Sequence, residues 1–367
     1  MTIRNVRLSR IATSQTAASL AVVALGAGLS ILFLAVTGAD LGEALPALYQ
    51  GAFGDARSFE ETLRQSIPIM IIGLGVAVGL RAGLFNIGGE GQLYVAALAA
   101  IVVSQMLPVD IAVLAVLLVL VVGAIAGGIW GGVTGWMRAR LGMNEVITTI
   151  LLNEIGFLLA AWAVHGPLRD RAGGGYPWSE KIAVPFRLPV IEIGSLRIPL
   201  GIVIGLVLAL GVFILLERSI KGLEIRMLGD NPAATEFSGS SAGRLAIFAM
   251  AVAGGLAGVA GVVELAGTQD RLSDFFSPGF GFTAIAVALV GNARAGGVVV
   301  AAFFFGGLRA GASSMERIAQ VPASTSLIAQ AIIILLLVVA RSRRLRVWIE
   351  RRRALTEALR NEGGDPE

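Results

Sequence analysis

Long apolar runs separated by short polar segments dominate the pattern of this chain. The first run, residues 17–36, has the roughly twenty residues that cross the hydrocarbon of a bilayer, and it follows Arg4, Arg7 and Arg10. An apolar run of this length after a basic start favours an uncleaved anchor over a cleaved signal peptide. Nine further runs are 67–80, 93–107, 111–136, 146–164, 198–216, 245–263, 280–290, 297–308 and 323–340. The pattern predicts an all-α integral membrane protein with about ten transmembrane helices.

The run 67–80 is too short to span a membrane. Residues 67–80 give about 21 Å of helix against roughly 30 Å of hydrocarbon. The following segment, RAGLFNIGGEGQ, is rich in glycine, so part of it is expected at membrane depth, where non-helical backbone must be packed in protein or line a wet cavity. Asn86, Glu90 and Gln92 are therefore candidates for a translocation pathway. An alternative of equal weight is a structural role for Glu90, as a helix cap or as an ion-pair partner of Arg81.

A second interruption lies near the other end of the chain. The runs 280–290 and 297–308 flank the sequence GNARAGG, and each has only about a dozen residues. Short, glycine-interrupted segments in both halves of a transporter indicate the translocation route, although interrupted helices also serve packing.

Glycines at a spacing of four mark helix faces that admit a close neighbour. One face is predicted on the longest run and a second on the run 245–263, the residues being Gly123, Gly127, Gly131 and Gly135, then Gly254 and Gly258. Packing, rather than chemistry, is the expected role of these residues.

Composition agrees with a membrane protein. The 367 residues are 56% hydrophobic and 15% charged, with 48 glycines, a balance that a soluble core does not need. With no cysteine and one histidine, His165, disulfides and multi-histidine metal sites are excluded, and no metal is expected. The arginines stand beside apolar runs and not among aromatic residues, which argues against nucleic-acid binding.

The arginine distribution predicts the topology, because positively charged connections stay in the cytoplasm. It places the N-terminus (1–16), the loop 217–244 and a basic tail (341–367) inside, and the loop 165–197 outside, around a transmembrane domain over 17–340. The tail is expected to rest on anionic lipid of a bacterial inner membrane.

Few groups are available for chemistry. Acidic or basic residues in or next to the ends of the runs include Glu154, which follows Asn153, and Glu264, which follows the run 245–263. Asn153 and Glu154 join the pathway candidates. Neither of the two lysines, Lys181 and Lys221, belongs to a GxxxxGK[ST] loop. No catalytic constellation is found, so the chain is not expected to be an enzyme or to bind a cofactor, and any ATP must be hydrolysed by another subunit.

The loop 217–244 contains one well-specified helix. Asn231 can cap a helix and Pro232 is preset for its first position, which predicts a helix over 232–237 that Gly239 ends. By itself this helix is equally compatible with a connector.

Four segments resemble permeases of the ribose, simple-sugar and nucleoside group of ABC importers. They are GLRAGLFNIGGEGQLYVAALAA, GMNEVITTILLNEI, GLEIRMLGDNPAATEFSG and GFGFTAIAVALVGNARAGG, in that order along the chain. The Gly-Glu-Gly-Gln element and the long 165–197 loop are most similar to the nucleoside branch.

The resemblance implies a type II-like importer permease that pairs with a second permease, and a heterodimer is expected. It also implies two ATPase subunits on the inner face and an external binding protein that delivers the solute. The ATPase would contact Gly229, Asp230, Asn231, Pro232, Ala233 and Ala234.

Two positions depart from the pattern of that group. Glu154 stands where an uncharged residue commonly follows Asn153, and Ala295 stands where a proline is frequent. Substrate identity therefore stays open among nucleosides, monosaccharides, purine bases and riboflavin, while a secondary carrier is disfavoured because it would need no cytoplasmic docking loop.

Overall fold

The structure is a computed structural model that describes residues 40–172 and 174–321, together with residues 28, 328, 331 and 332. Residues 48–311 form one compact unit. All candidate site residues lie in the unit 48–311. The predicted spans 17–36 and 323–340 lie outside the described residues, except for positions 28, 328, 331 and 332, and the terminal segments 1–16 and 341–367 lie wholly outside them.

Within the described ranges the chain forms eleven α-helices. They are α1 (Leu41–Phe53), α2 (Ala56–Arg81), α3 (Gly89–Met106), α4 (Ala112–Leu141), α5 (Glu145–His165), α6 (Leu200–Phe213), α7 (Ile220–Asp230), α8 (Pro232–Phe237), α9 (Ala242–Glu264), α10 (Phe280–Val290) and α11 (Ala295–Ile318). Two of them continue as single π-helical turns, α6 over Ile214–Arg218 and α9 over Leu265–Gln269.

Six helices of the described chain are long and apolar enough to cross a membrane: α2, α4, α5, α6 and α9 with their π turns, and α11. This supports a multi-pass membrane protein. The predicted number of ten spans is not confirmed, since α10 is too short and the first and last runs are not described.

The prediction that residues 67–80 form a short helix is wrong. Helix α2 has 26 residues, or about 39 Å, and it begins where the Asp55 carboxylate accepts a hydrogen bond from the Ser58 amide (2.7 Å). Its first turns carry charged residues, so hydropathy alone places its start too late. The run 297–308 was underestimated for a similar reason, because it belongs to the 24-residue helix α11.

Helices dominate the described residues, as the all-α prediction expects, and a short β-hairpin accompanies them. Within and just after the loop 165–197, β1 (Val190–Ile193) and β2 (Leu196–Pro199) pair antiparallel, with Ile193 opposite Leu196. The two-residue turn between them begins with Gly194 at φ +62°, a conformation that tight hairpin turns require.

Helices α4 and α9 pack through their glycines. A Cβ added at Gly127 would collide with the carbonyl oxygen of Gly254, and one added at Gly254 would collide with that of Gly127. Gly123 and Gly131 likewise leave no room for a side chain against Gly258 and Met250. Because the backbones touch, the glycine faces of α4 and α9 form one continuous contact along the middle of both helices.

Candidate functional site

The connection between α2 and α3 folds back along α2. After Arg81 the chain reverses, so that a Cβ on Gly89, the first residue of α3, would lie 2.8 Å from Cγ2 of Ile72. Ile72 precedes the end of α2 by nine positions, or roughly 14 Å. Helix α3 therefore starts beside Ile72, about two thirds of the way along α2. The glycine-rich segment lies beside the last third of a candidate span because the chain reverses, and not because the preceding helix is short.

Three side-chain amides hold the returning segment in place. Asn86 and Gln92 exchange two hydrogen bonds (3.1 and 3.2 Å). Asn153 of α5 accepts from the Gly91 amide (2.7 Å) and donates to the Ile87 carbonyl (2.9 Å). All three side chains are buried. Since they satisfy one another and the local backbone, the arrangement suits positioning of the backbone.

Glu90 joins the start of α3 to the start of α10. Its carboxylate accepts a hydrogen bond from the Gly281 amide (2.6 Å). Gly281 lies in the first turn of α10, where the amides have no hydrogen-bond partner within the helix. The carboxylate also interacts electrostatically with the guanidinium of Arg309. Arg81, the partner considered from the sequence, lies elsewhere. Glu90 thus caps a second broken helix.

Sequence reasoning missed Arg309. Its guanidinium donates to the Thr283 hydroxyl (3.3 Å) and the Pro278 carbonyl (3.2 Å), and it lies 5.1 Å from the Phe280 ring centroid. It also interacts electrostatically with Glu264. Arg309 follows the predicted run 297–308 directly, because its charge ends the apolar pattern. Only the full length of α11 shows that Arg309 belongs to the same helix.

A second junction surrounds Arg81. Its guanidinium donates to the Glu217 carboxylate (3.0 Å) and to the Ala293 carbonyl (3.0 Å). Ala293 belongs to the break between α10 and α11, where Asn292 and Ala293 both have positive φ. Arg81 therefore ties the end of α2 to the end of α6 and to the second interruption.

The 217–244 loop reaches the same junction. A Cβ on Gly83 would lie 3.1 Å from the Cα of Gly229, and one on Gly229 would collide with the Arg81 carbonyl oxygen. Gly83 also has φ +72°, which favours glycine. The last turn of α7 thus rests directly on the turn that follows α2.

Helix α8 has the predicted bounds and the predicted cap. The Asn231 side chain accepts from the amides of Ala233 (3.0 Å) and Ala234 (3.2 Å). Asp230, Pro232, Ala233 and Ala234 are exposed, and Phe237 is 93% exposed. The helix presents small side chains and one aromatic ring to its surroundings.

The start of α7 holds the segment after α8. Glu224 accepts from Lys221 (2.7 Å) and from the Ser240 hydroxyl (3.0 Å). The Lys221 ammonium, followed by the Ser240 hydroxyl, lowers the pKa of Glu224 below its usual range. At neutral pH the carboxylate is charged and keeps both contacts.

The 165–197 loop is attached to the segment after α9. Main-chain hydrogen bonds run from Ser179 to Leu272 (2.8 Å) and from Ile182 to Asp270 (2.7 Å). His165 lies 2.7 Å from the Asp274 carboxylate. This end of the unit is opposite to the Arg81 junction along α9.

Glu154 is not brought together with the other candidates. Asn153 points into the bundle, whereas Glu154, the next residue, is exposed on the opposite side of α5.

Comparison with known proteins identifies relatives over most of the chain. Residues 58–339 match the family described as "Branched-chain amino acid transport system / permease component". The guanosine ABC transporter permease protein NupP of Bacillus subtilis is 36% identical over 85% of this chain and 90% of its own length. The glucose ABC transporter permease protein TsgB13 of Haloferax volcanii is 34% identical (76% and 75%), and the nucleoside ABC transporter permease protein NupB of Lactococcus lactis is 32% identical (78% and 80%). No solved structure matches the chain.

Proposed function

The chain belongs to the branched-chain amino acid transport system permease family and is a permease subunit of an ABC importer; we propose that the solutes it carries are nucleosides. Two of the three relatives named above are nucleoside-type permeases, and this similarity is the observation that carries the proposal. A sugar is the second candidate, because a glucose permease is 34% identical.

The proposed topology follows the arginines. Both termini, the Arg81 junction and the loop 217–244 lie in the cytoplasm, the loop 165–197 lies outside, and about ten spans cross a bacterial inner membrane in a type II-like arrangement. The absence of cysteine makes this testable by labelling single cysteines. Phe237→Cys should react with an impermeant maleimide only in inverted vesicles, and Val184→Cys only in intact cells. The reverse result would overturn the topology.

In the proposed mechanism the complete importer has two ATPase subunits, and one of them binds α8 of this chain; the chain itself binds no cofactor. The small exposed side chains of α8 would let a groove on the ATPase approach the helix backbone closely. A displacement of α8 moves α7, and Gly229 then presses on Gly83 at the end of α2. Through this contact the ATPase cycle reaches the returning segment that carries Asn86.

The pathway proposal concerns the middle of the bundle. Asn86, Gln92 and Asn153 fix the returning segment, and Glu90 links α3 to α10. Both broken helices begin at this point, so a shift of either changes the carboxylate contact. In this proposal Glu90 gates the route, and its electrostatic interaction with Arg309 supports that role.

Transport by the reconstituted complex tests the function. The permease with its companion permease, ATPases and binding protein should accumulate labelled guanosine in an ATP-dependent manner, and unlabelled nucleosides should compete better than glucose, ribose or riboflavin. Preferential competition by a sugar would replace the substrate class. Uptake driven by an ion gradient without ATP would contradict the importer mechanism itself.

A further inference from the structure

An acidic residue lies in the middle of a candidate membrane span, on the side of the helix that points away from the rest of the unit. Helix α5 has 21 residues, and Glu154 is the tenth, roughly 14 Å from the first. Its neighbour Asn153 contacts the returning segment at Gly91, which places both residues near the middle of the bundle. Glu154 itself is exposed to the surroundings of the unit.

The residues around Glu154 on this face are apolar. Leu151, Leu158 and Trp162 are 57, 61 and 66% exposed, and spacings of three, four and eight positions place them beside Glu154 on the helix. We call Ile147, Leu151, Glu154, Leu158 and Trp162 the Glu154 face. The opposite side of α5 carries Asn153, Gly156 and Ala160 and is buried.

Lipid accounts for an apolar face, but not for a carboxylate at its centre. Ionisable groups within membrane spans nearly always meet a partner, the bundle interior or a wet cavity, because hydrocarbon solvates charge poorly. Within residues 40–172 and 174–321, no hydrogen bond or ion pair to the Glu154 side chain is present. The group that satisfies this carboxylate must therefore come from outside these residues.

We propose that the Glu154 face packs against a transmembrane helix of the second permease subunit, and that this helix supplies a basic or amide side chain to Glu154. The inference rests on the proposed function, since it needs a second permease. A symmetric contact between two copies of this chain centred here would oppose two carboxylates. Charge complementarity consequently points to a companion chain of different sequence.

Photo-crosslinking of the purified, reconstituted complex tests the face. A benzophenone amino acid replaces Leu151 or Leu158 on the Glu154 face, or Leu210 of α6, which is similarly exposed (58%), as the matched control. The expected adduct joins this chain to the companion permease from positions 151 and 158, and in much lower yield from 210. Adducts of two copies of this chain, or no permease adduct from 151 and 158, would overturn the proposal.

Substitution of Glu154 tests the polar contact. Glu154→Gln keeps an acceptor and should retain assembly, while Glu154→Leu should lower the recovery of the companion permease roughly tenfold, as expected for losing an interhelical hydrogen bond in a membrane. If lipid covers the face, Glu154→Leu assembles at least as well as the unmodified chain. If the face lines a water-filled pathway, Glu154→Leu assembles normally but changes the concentration dependence of uptake. Either result rejects the proposal.

The two tests separate this inference from the proposed function. ATP-dependent guanosine uptake by the unmodified complex, combined with no permease adduct from the Glu154 face, rejects only the interface. A purified complex without ATPase subunits, or without ATP-dependent uptake, rejects the function and leaves the adduct pattern to be judged separately.

Discussion

Gly83 and Gly229 touch backbone to backbone, which joins the end of a membrane span to the last turn before the exposed helix α8. Neither position leaves room for a side chain, and Gly83 requires positive φ. The contact is consequently short. It links the loop 217–244 to the turn that leads into the returning segment with Asn86 and Gln92.

The first prediction concerns this link. Gly229→Val forces its side chain into the Arg81 carbonyl, so it should separate α7 from α2 and reduce uptake at least tenfold while ATPase subunits still bind. Overpacking of this kind costs about 1–3 kcal/mol. Gly296→Val, at a position with open space, is the control. Uptake and ATP hydrolysis measured on one preparation decide the matter, and normal coupling in Gly229→Val would remove the contact from the mechanism.

Arg81 and Glu217 should behave as a coupled pair. Both side chains are partly exposed. A double-mutant cycle with Arg81→Ala and Glu217→Ala should therefore give a coupling free energy of only about 0.2–1 kcal/mol. Arg81→Lys keeps the charge but not the two separate contacts to Glu217 and Ala293, and it should lower uptake more than Glu217→Gln does. Equal uptake by Arg81→Lys and Glu217→Gln would mean that Arg81 contributes only through its ion pair and not through its contact with Ala293.

Glu90 should matter for transport more than for assembly. Glu90→Gln retains an acceptor for the Gly281 amide but removes the titratable carboxyl group beside Arg309, so the complex should assemble with strongly reduced uptake. Glu90→Leu also removes the cap and should be less stable, by about 1 kcal/mol. Glu180→Gln, an exposed loop position, is the control. Full transport by correctly inserted Glu90→Gln would instead favour a purely structural role.

Bulk on α8 should uncouple hydrolysis from uptake. Ala234→Trp or Ala233→Glu changes an exposed position without disturbing the Asn231 cap, so insertion and pairing with the second permease should persist. Docking of the ATPase, or substrate-stimulated ATP hydrolysis, should fall. Ile220→Trp, which adds similar bulk to an exposed position of α7, is the control. An Ala234→Trp complex with ordinary uptake and stimulation would return α8 to the role of a connector.

The glycine contact between α4 and α9 should not tolerate a larger side chain. Gly127→Val meets the Gly254 carbonyl and should destabilise the protein by about 1–3 kcal/mol. Gly211→Val in α6 meets no atom within 4 Å and serves as the control. Thermal stability of the purified protein in detergent measures both, and equal melting temperatures would mean that the two helices separate readily.

Much of the fold follows from local sequence. Apolar runs of sufficient length exclude a soluble fold, glycine clusters interrupt helices at 82–88 and 291–294, and Asn231 with Pro232 starts α8 where expected. The charged first turns of α2 hid its length, because average hydropathy reports what a segment buries and not where a helix begins.

Only the tertiary structure decided which residues meet. Sequence alone grouped Asn153 and Glu154 as pathway candidates, yet adjacent helical residues point about 100° apart, so one enters the amide cluster and the other faces outward. Gly83 and Gly229 become neighbours because the chain reverses after α2 and α7 returns to that turn. Hydrophobicity and propensity are properties of single segments, whereas contacts between distant segments depend on how helices pack, and this packing determined where the candidate site lies.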